Sequence, residues 1–168
     1  MLLFYEILEE CNLPYEVSLK QIPPMNVVSI RANTSMESMA EDMGERYGEL
    51  WAYLQEVGGS CTGVSAVYHD QEFDPENIDV ECCFSVEEAL PERGRIVSRL
   101  LEGGPMASTT HKGPYDELGA AYEAVAKWIE ENGYAYAGPM RDIYLNDPEE
   151  VSPEELLTET LFPVSKKN

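Results

Sequence analysis

The sequence predicts an α+β fold: a duplicated strand-helix-strand-strand module forming an antiparallel sheet, with two helices on one face and a central ligand cleft. Two observations carry this expectation. Strand-like runs outnumber helical ones and are joined by hairpin-length links, which favours antiparallel pairing with the helices segregated to one face. The chain also resembles itself. "GELWAYLQEVGGSCTGVSAVYHD" (48–70) and "YEAVAKWIEENGYAYAGPMRDIYLND" (122–147) share a helical run with an embedded Trp, a Gly-marked stop, a second Gly and a strand ending in Tyr then Asp. Internal repetition of this kind marks a supersecondary unit used twice.

The repeat extends to "IDVECCFSV" (78–86) against "LLTETLFPV" (156–164), and to "PMNVVSIRA" (24–32) against "PMASTTHKG" (105–113). Strands are expected at 15–20, 25–32, 62–69, 78–86, 94–102, 105–112, 140–145 and 157–164. The first helix opens on "SMAE", where Ser38 and Glu41 have capping-box spacing. Its Met43, Tyr47, Leu50, Trp51, Leu54 and Val57 then recur at i, i+3 and i+4, an apolar stripe that needs a sheet to cover. In the second helix Leu118, Ala121, Tyr122, Val125, Trp128 and Ile129 do the same before Asn132 and Gly133 stop it. The expected organisation is an N-terminal extension over 1–14 and a single domain over 15–168, with halves of about 15–90 and 91–164. A cleft between two such halves is a place where small molecules bind.

Asp and Glu total 32 against 11 Lys plus Arg, for a net charge of −21. A field of that sign repels phosphate backbones, so no direct nucleic-acid binding is expected. Apolar residues at 43% and charged residues at 26% indicate a globular protein. No run is long and apolar enough to span a membrane. The first residues, "MLLFYEILEECN", carry Glu6, Glu9 and Glu10 and lack a basic start or cleavage site, so they do not read as a signal peptide. A cytoplasmic location follows. Cys11, Cys61, Cys82 and Cys83 form no C-x-x-C pair and have no His at metal spacing, so no metal or cofactor is expected. Adjacent Cys82 and Cys83 point to opposite faces of a strand, and at most one of them is expected in the core.

The chemistry-bearing pattern is carboxylates on strands beside aromatics. In "MRDIY", Asp142 lies two positions before Tyr144, so both share a face, and the repeat assigns Tyr68 the place of Tyr144 in the first half. If that face lines the cleft, Asp142 with Tyr68, Tyr144, Tyr115 and Trp51 makes an aromatic-walled anionic pocket suited to a lipophilic cation. The bland alternatives are an ion pair of Asp142 with Arg141 or Arg31, or solvent exposure. Glu81 and Glu159 occupy matching strand positions and are further candidates for the charged contact. His111 before a Gly-Pro turn reads as a turn residue, and His69 near Asp70 and Asp74 lacks further metal ligands.

"HKGPYDEL", the Gly-Pro before the strand at 140, "YLNDP" and the terminal "TETLFPV" together resemble GyrI-like small-molecule-binding domains, the effector-binding domains of AraC-type and MerR-type activators. The resemblance covers roughly residues 15–164. It implies two helices behind an antiparallel sheet and a central groove for hydrophobic, often cationic compounds. In that family a glutamate usually stands two places before the strand Tyr; here the position is Asp142, one methylene shorter. The chain has no room for the DNA-binding module of the activators, so it resembles a stand-alone form. Such forms are implicated in toxin sequestration, in inhibition of gyrase and, in one branch, in hydrolysis of cyclopropane-bearing genotoxins. The residues thus favour a binding protein for hydrophobic or cationic small molecules, with no catalytic residue assigned. If the chain is an enzyme, the residue is Asp142. Gyrase or a separately encoded DNA-binding regulator is a further candidate partner.

Overall fold

The computed structural model describes residues 15–168; the extension 1–14, with Cys11 and the run discussed as a non-signal segment, lies outside the described residues. The elements are β1 (Ser18–Ile22), β2 (Met25–Thr34), α1 (Met39–Val57), β3 (Gly63–Tyr68), β4 (Ile78–Ser85), β5 (Val97–Leu101), β6 (Gly104–Lys112), α2 (Gly119–Glu131), β7 (Tyr134–Tyr136), β8 (Met140–Tyr144) and β9 (Leu157–Lys166). All pairings are antiparallel, in the order β1-β6-β9-β8-β3-β4-β2-β5, with β7 added on β9. The α+β expectation holds. β7 is the strand the sequence reading missed: three residues of "YAY" directly after a helix stop are too short to show alternation.

The sheet order reads the same from both edges. Each half contributes strand-helix-strand-strand (β2-α1-β3-β4 and β6-α2-β8-β9), and β3 meets β8 at the centre through Val64↔Tyr144, Ala66↔Asp142 and Tyr68↔Met140. The strand leading into each half crosses to the other: β1 precedes β2 but pairs with β6, and β5 precedes β6 but pairs with β2. The two crossing links touch at Gly103, where a Cβ would lie 2.2 Å from the Ile22 carbonyl oxygen. Register places Val27 with Met106 and Ser29 with Ser108, two residues off the match expected for 24–32 against 105–113.

Both helices cover one face. α1 buries Met43, Leu50, Tyr53 and Leu54 against Val28, Ile30, Ala66, Val80, Cys82 and Phe84. α2 buries Val125 and Ile129 against Ala107 and Val164, with Trp128 and Phe162 at the margin. Burial of these side chains removes about 1.5–3 kcal/mol of unfavourable hydration each and is what holds the helices to the sheet. Arg46 fixes the entry of α1 by donating from Nη2 to the Asn33 carbonyl at 2.8 Å. The expected capping box does not form: Ser38 is itself in the helical region and caps nothing, while the Ser35 hydroxyl accepts from the Ser38 N–H at 3.2 Å.

The opposite face is not open to water at its centre. Cys82 and Cys83 do point to opposite faces, yet both are fully buried, so the expectation that one would be excluded is corrected. Cys83 packs with Val27, Val67 and Leu101 beneath the sheet. Among the described residues no helix is long and apolar enough to cross a membrane.

Candidate functional site

At the junction of the halves, strand register lays out two rows on the helix-covered face. One runs Cys82, Ala66, Asp142, Thr160 across β4, β3, β8 and β9; beside it Val64, Tyr144 and Thr158 follow across β3, β8 and β9. Asp142 has no solvent exposure. Its Oδ2 accepts a hydrogen bond of 2.5 Å from the Tyr122 hydroxyl on α2, and its Oδ1 has no partner among the described residues. Neither bland alternative for Asp142 holds. Arg141 projects to the other face, where Nη2 donates to the Glu102 carbonyl at 2.5 Å, and Arg31 pairs with Asp79 at 2.7 Å.

A buried carboxylate with a single neutral donor resists ionisation. Burial pushes the Asp142 carboxyl up to about 6, against the opposing hydrogen bond from Tyr122 and the nearby Thr160 hydroxyl. Thr160 helps the charge from directly across the strand pair without its hydroxyl and Oδ1 reaching hydrogen-bond geometry. The surrounding phenols stay protonated: Tyr122, Tyr68 and Tyr144 are pushed up by burial first and by the Asp142 charge in addition.

A chain of ring contacts runs along the same face of the sheet as this carboxylate. Tyr115, on a 3-10 turn (Tyr115–Glu117), meets Tyr144 edge to face at 5.4 Å; Tyr47 meets Tyr144 at 6.5 Å and stacks on Phe84 at 5.6 Å; Trp51 meets Phe84 edge-on at 6.5 Å. Trp51 is 55% exposed and Tyr115 37%, so both stand at the surface, while Asp142 is wholly buried. The Tyr47 hydroxyl donates to the Ser65 carbonyl at 2.6 Å, which ties α1 to the floor on its side as Tyr122 ties α2 on the other. Tyr115, Tyr144 and Trp51 thus belong to one chain of ring contacts through Tyr47 and Phe84, on the same sheet face as Asp142 and Tyr68, and these rings fill the place between the helices where a cleft was expected. A polar depression of about 320 Å³ lies elsewhere, at the β1–β6 edge around Glu16, Ser18, Lys20, Ser108, Thr109 and Thr110, and it lacks aromatic walls.

Glu81 and Glu159 do not join the cleft. Alternation puts them on the opposite face from Asp142, as Val67↔Glu81 and Ile143↔Glu159 pair one residue out of step with it. There each belongs to a matched ionic clamp. Glu81 accepts from Ser29 Oγ at 2.6 Å, from Arg99 Nη2 at 2.5 Å and Nε at 2.8 Å, and lies 2.8 Å from His69 Nε2. Glu159 accepts from Ser108 Oγ at 2.6 Å and from Lys20 Nζ at 2.5 Å. Arg99 and Lys20 stand on the exchanged edge strands β5 and β1, so each clamp ties an edge strand across its neighbour to the second strand in. His111 is equally structural: buried, it accepts at Nδ1 from the Tyr15 hydroxyl at 2.8 Å and donates from Nε2 to the Pro114 carbonyl at 3.1 Å.

Sequence reasoning read Tyr47 and Tyr122 only as apolar stripe, and passed over Phe84, Thr158 and Thr160. Tyrosines at core-facing helix positions were the available signal, since a buried phenol needs a partner. The threonines were legible as polar residues standing where the first half has Val80 and Cys82.

A family model described as GyrI-like small molecule binding domain matches residues 15–165. The fold superposes on EcmrR in its DNA complex with TM-score 0.85 at 28% identity, covering 97% of this chain and 62% of that one. It superposes on the EcmrR C-terminal domain with TM-score 0.78 at 28% identity, covering 90% and 98%. SAV2435 bound to tetraphenylphosphonium shares the fold, with TM-score 0.64 at 16% identity over 89% of this chain and 94% of that one. Comparison with curated proteins gives no match. This chain spans less than two thirds of the EcmrR chain in the DNA complex.

Proposed function

Because the chain belongs to the GyrI-like small-molecule-binding family, we propose that its aromatic cleft captures hydrophobic, cationic small molecules, with Asp142 as the charged contact and Tyr68, Tyr115, Tyr144 and Trp51 as walls. The observation that carries this reading is Asp142 itself: a fully buried carboxylate that among the described residues has no cation beside it and one oxygen unpartnered, with the Tyr115 and Tyr144 rings meeting edge to face on its side of the sheet. Burying a charge without a counter-ion is costly, and a ligand cation removes that cost while the rings add cation–π attraction and apolar area. A tetraphenylphosphonium-bound protein of the same fold is consistent with it. Since the cleft is filled by its own side chains, binding requires Tyr115 and Trp51 at the rim to swing aside; exposed side chains of this kind move on fast timescales.

The proposal is tested by calorimetric titration of tetraphenylphosphonium, or of a rhodamine dye, against the wild type and Asp142→Ala. Loss of a buried charge pair predicts about 100-fold weaker binding by the variant. Equal affinity for the two would remove Asp142 from the site.

A second reading, hydrolysis of a strained ring, uses the same carboxyl as proton donor, and the complete burial of Asp142, which pushes its pKa up to about 6, favours it. Product beyond one equivalent of protein would select the enzyme; stoichiometric protection of the compound selects the binder. Partner capture is secondary: with a charge of −21 the surface suits a basic protein partner over direct contact with nucleic acid.

A further inference from the structure

Five buried side-chain polar atoms lack hydrogen-bond partners among the described residues, and three of them fall together in the cleft floor: Asp142 Oδ1, Thr158 Oγ1 and Thr160 Oγ1. The other two, Ser65 Oγ and Arg141 Nε, belong to the opposite face. Asp142 pairs directly across with Thr160, and Tyr144 with Thr158, so the three residues are neighbours on β8 and β9, with Tyr122 reaching down to Asp142. All three residues have no solvent exposure.

The first half shows what the module needs at these places. Ala66, Cys82 and Val80 occupy the matching register positions, all buried, and of the three only the Cys82 thiol, beside the Tyr47 hydroxyl, is polar. The polar trio is therefore an addition in one half. Buried polar groups are almost always paired, and a tight group of unpaired ones calls for a partner from outside the chain.

The missing atoms are donors. A carboxylate oxygen only accepts, and each threonine hydroxyl, with its one O–H free to turn toward the carboxylate, still leaves lone pairs to accept, so the complement is a small group carrying several N–H bonds and a positive charge. An ammonium supplies three donors from one centre. A trimethylammonium or tetraphenylphosphonium supplies charge but no N–H donor.

We infer that the cleft is built for protonated amines, primary or secondary ammonium groups on an aromatic or aliphatic body, with Thr158 and Thr160 as the residues that select them over permanently charged cations. The inference rests on the cation-binding reading above and sharpens its ligand class. Recognition by hydrogen bonding rejects a close analogue lacking the N–H far more strongly than an apolar pocket can, because the site's own groups are then left unpaired.

The test compares naphthylmethylammonium with its N,N,N-trimethyl derivative and with tetraphenylphosphonium, titrated at pH 7.5 into wild type, Asp142→Asn, Thr158→Val and Thr160→Val, with thermal melting to verify folding. The wild type is expected to prefer the primary amine by about 10-fold or more. Each valine variant is expected to cut that preference to about threefold or less while leaving the trimethyl affinity unchanged. A trimethyl derivative bound as tightly as the amine, and weakened by Asp142→Asn, overturns this inference and leaves the cation-binding reading standing. A preference that survives both valine variants removes the threonines from selection and overturns their assignment. Absence of binding by all three cations to the wild type overturns the reading and the inference together.

Discussion

Two buried carboxylates, on adjoining regions of one sheet, have opposite fates. Glu81 is 2% exposed and Asp142 fully buried, yet they titrate in opposite directions. Burial pushes Glu81 up, but hydrogen bonds from Arg99, His69 and Ser29 outweigh it and hold the carboxyl well below the usual carboxylate range. Asp142 has one phenol and a threonine to oppose the same penalty, and it rises to about 6. Burial alone therefore does not mark a ligand site; the number of charged partners already present does. A satisfied carboxylate is part of the scaffold, and an unsatisfied one waits for something.

That contrast makes predictions that pull in opposite directions. Glu81→Ala leaves Arg99 and His69 facing a buried gap, and the expected cost is about 3 kcal/mol, seen as a melting temperature lower by about 6–12 °C. Cation affinity, measured well below the new midpoint, should change by less than about twofold, because Glu81 lies on the far face. A large loss of affinity with unchanged stability would reverse the two roles.

Asp142→Asn should do the reverse and stabilise the protein. With the folded-state pKa raised from 3.8 to about 6, the stability linked to Asp142 is complete below the lower value and is lost as pH rises through the higher one. At pH 7 the wild type carries this penalty and the amide does not, so melting of the variant should be favoured by about 2–3 kcal/mol. By pH 4 the difference should have closed. Melting curves at the two pH values read this out, and a variant destabilised at pH 7 would contradict an unsatisfied carboxylate.

The smallest effect belongs to the second clamp. Lys20 is about half exposed, so the Lys20–Glu159 pair is partly screened by water, and Glu159→Gln should cost less than about 1 kcal/mol. A loss as large as that of Glu81→Ala would show that the two clamps are equivalent despite their different exposure.

Most of the fold was legible in the sequence because its signals are local. The helical stripes over 43–57 and 118–129, the glycine stops and the alternation of strands 25–32 and 78–86 each appear in a short window. The cleft was legible in part. The spacing of Asp142 and Tyr144 fixes their shared face, and the self-similarity of the chain pairs Tyr144 with Tyr68. Glu81 and Glu159 went to the opposite face because alternation ranks residues only within one strand; which face of β4 matches which face of β8 depends on the β3–β4 and β3–β8 registers. The partners of Glu81 come from β2, β5 and the residue after β3, at separations of 52, 18 and 12 residues that no local pattern reveals. Tyr122 was hidden for the same reason: its role depends on α2 lying over β8.

The central claim is that Asp142 meets a ligand's positive charge in a buried cleft. Its most direct test is the affinity of the wild type for tetraphenylphosphonium, a cation without protons of its own, measured from pH 5 to pH 8 beside Asp142→Asn. The surrounding Tyr47, Tyr68, Tyr115, Tyr122 and Tyr144 are all raised and stay neutral across that range. Affinity should be steady above pH 7 and fall below about pH 6, approaching tenfold per pH unit, as the carboxylate takes up a proton. The variant should bind weakly and without that slope. A wild-type profile that stays flat through pH 6, or a slope that persists in Asp142→Asn, would contradict the claim.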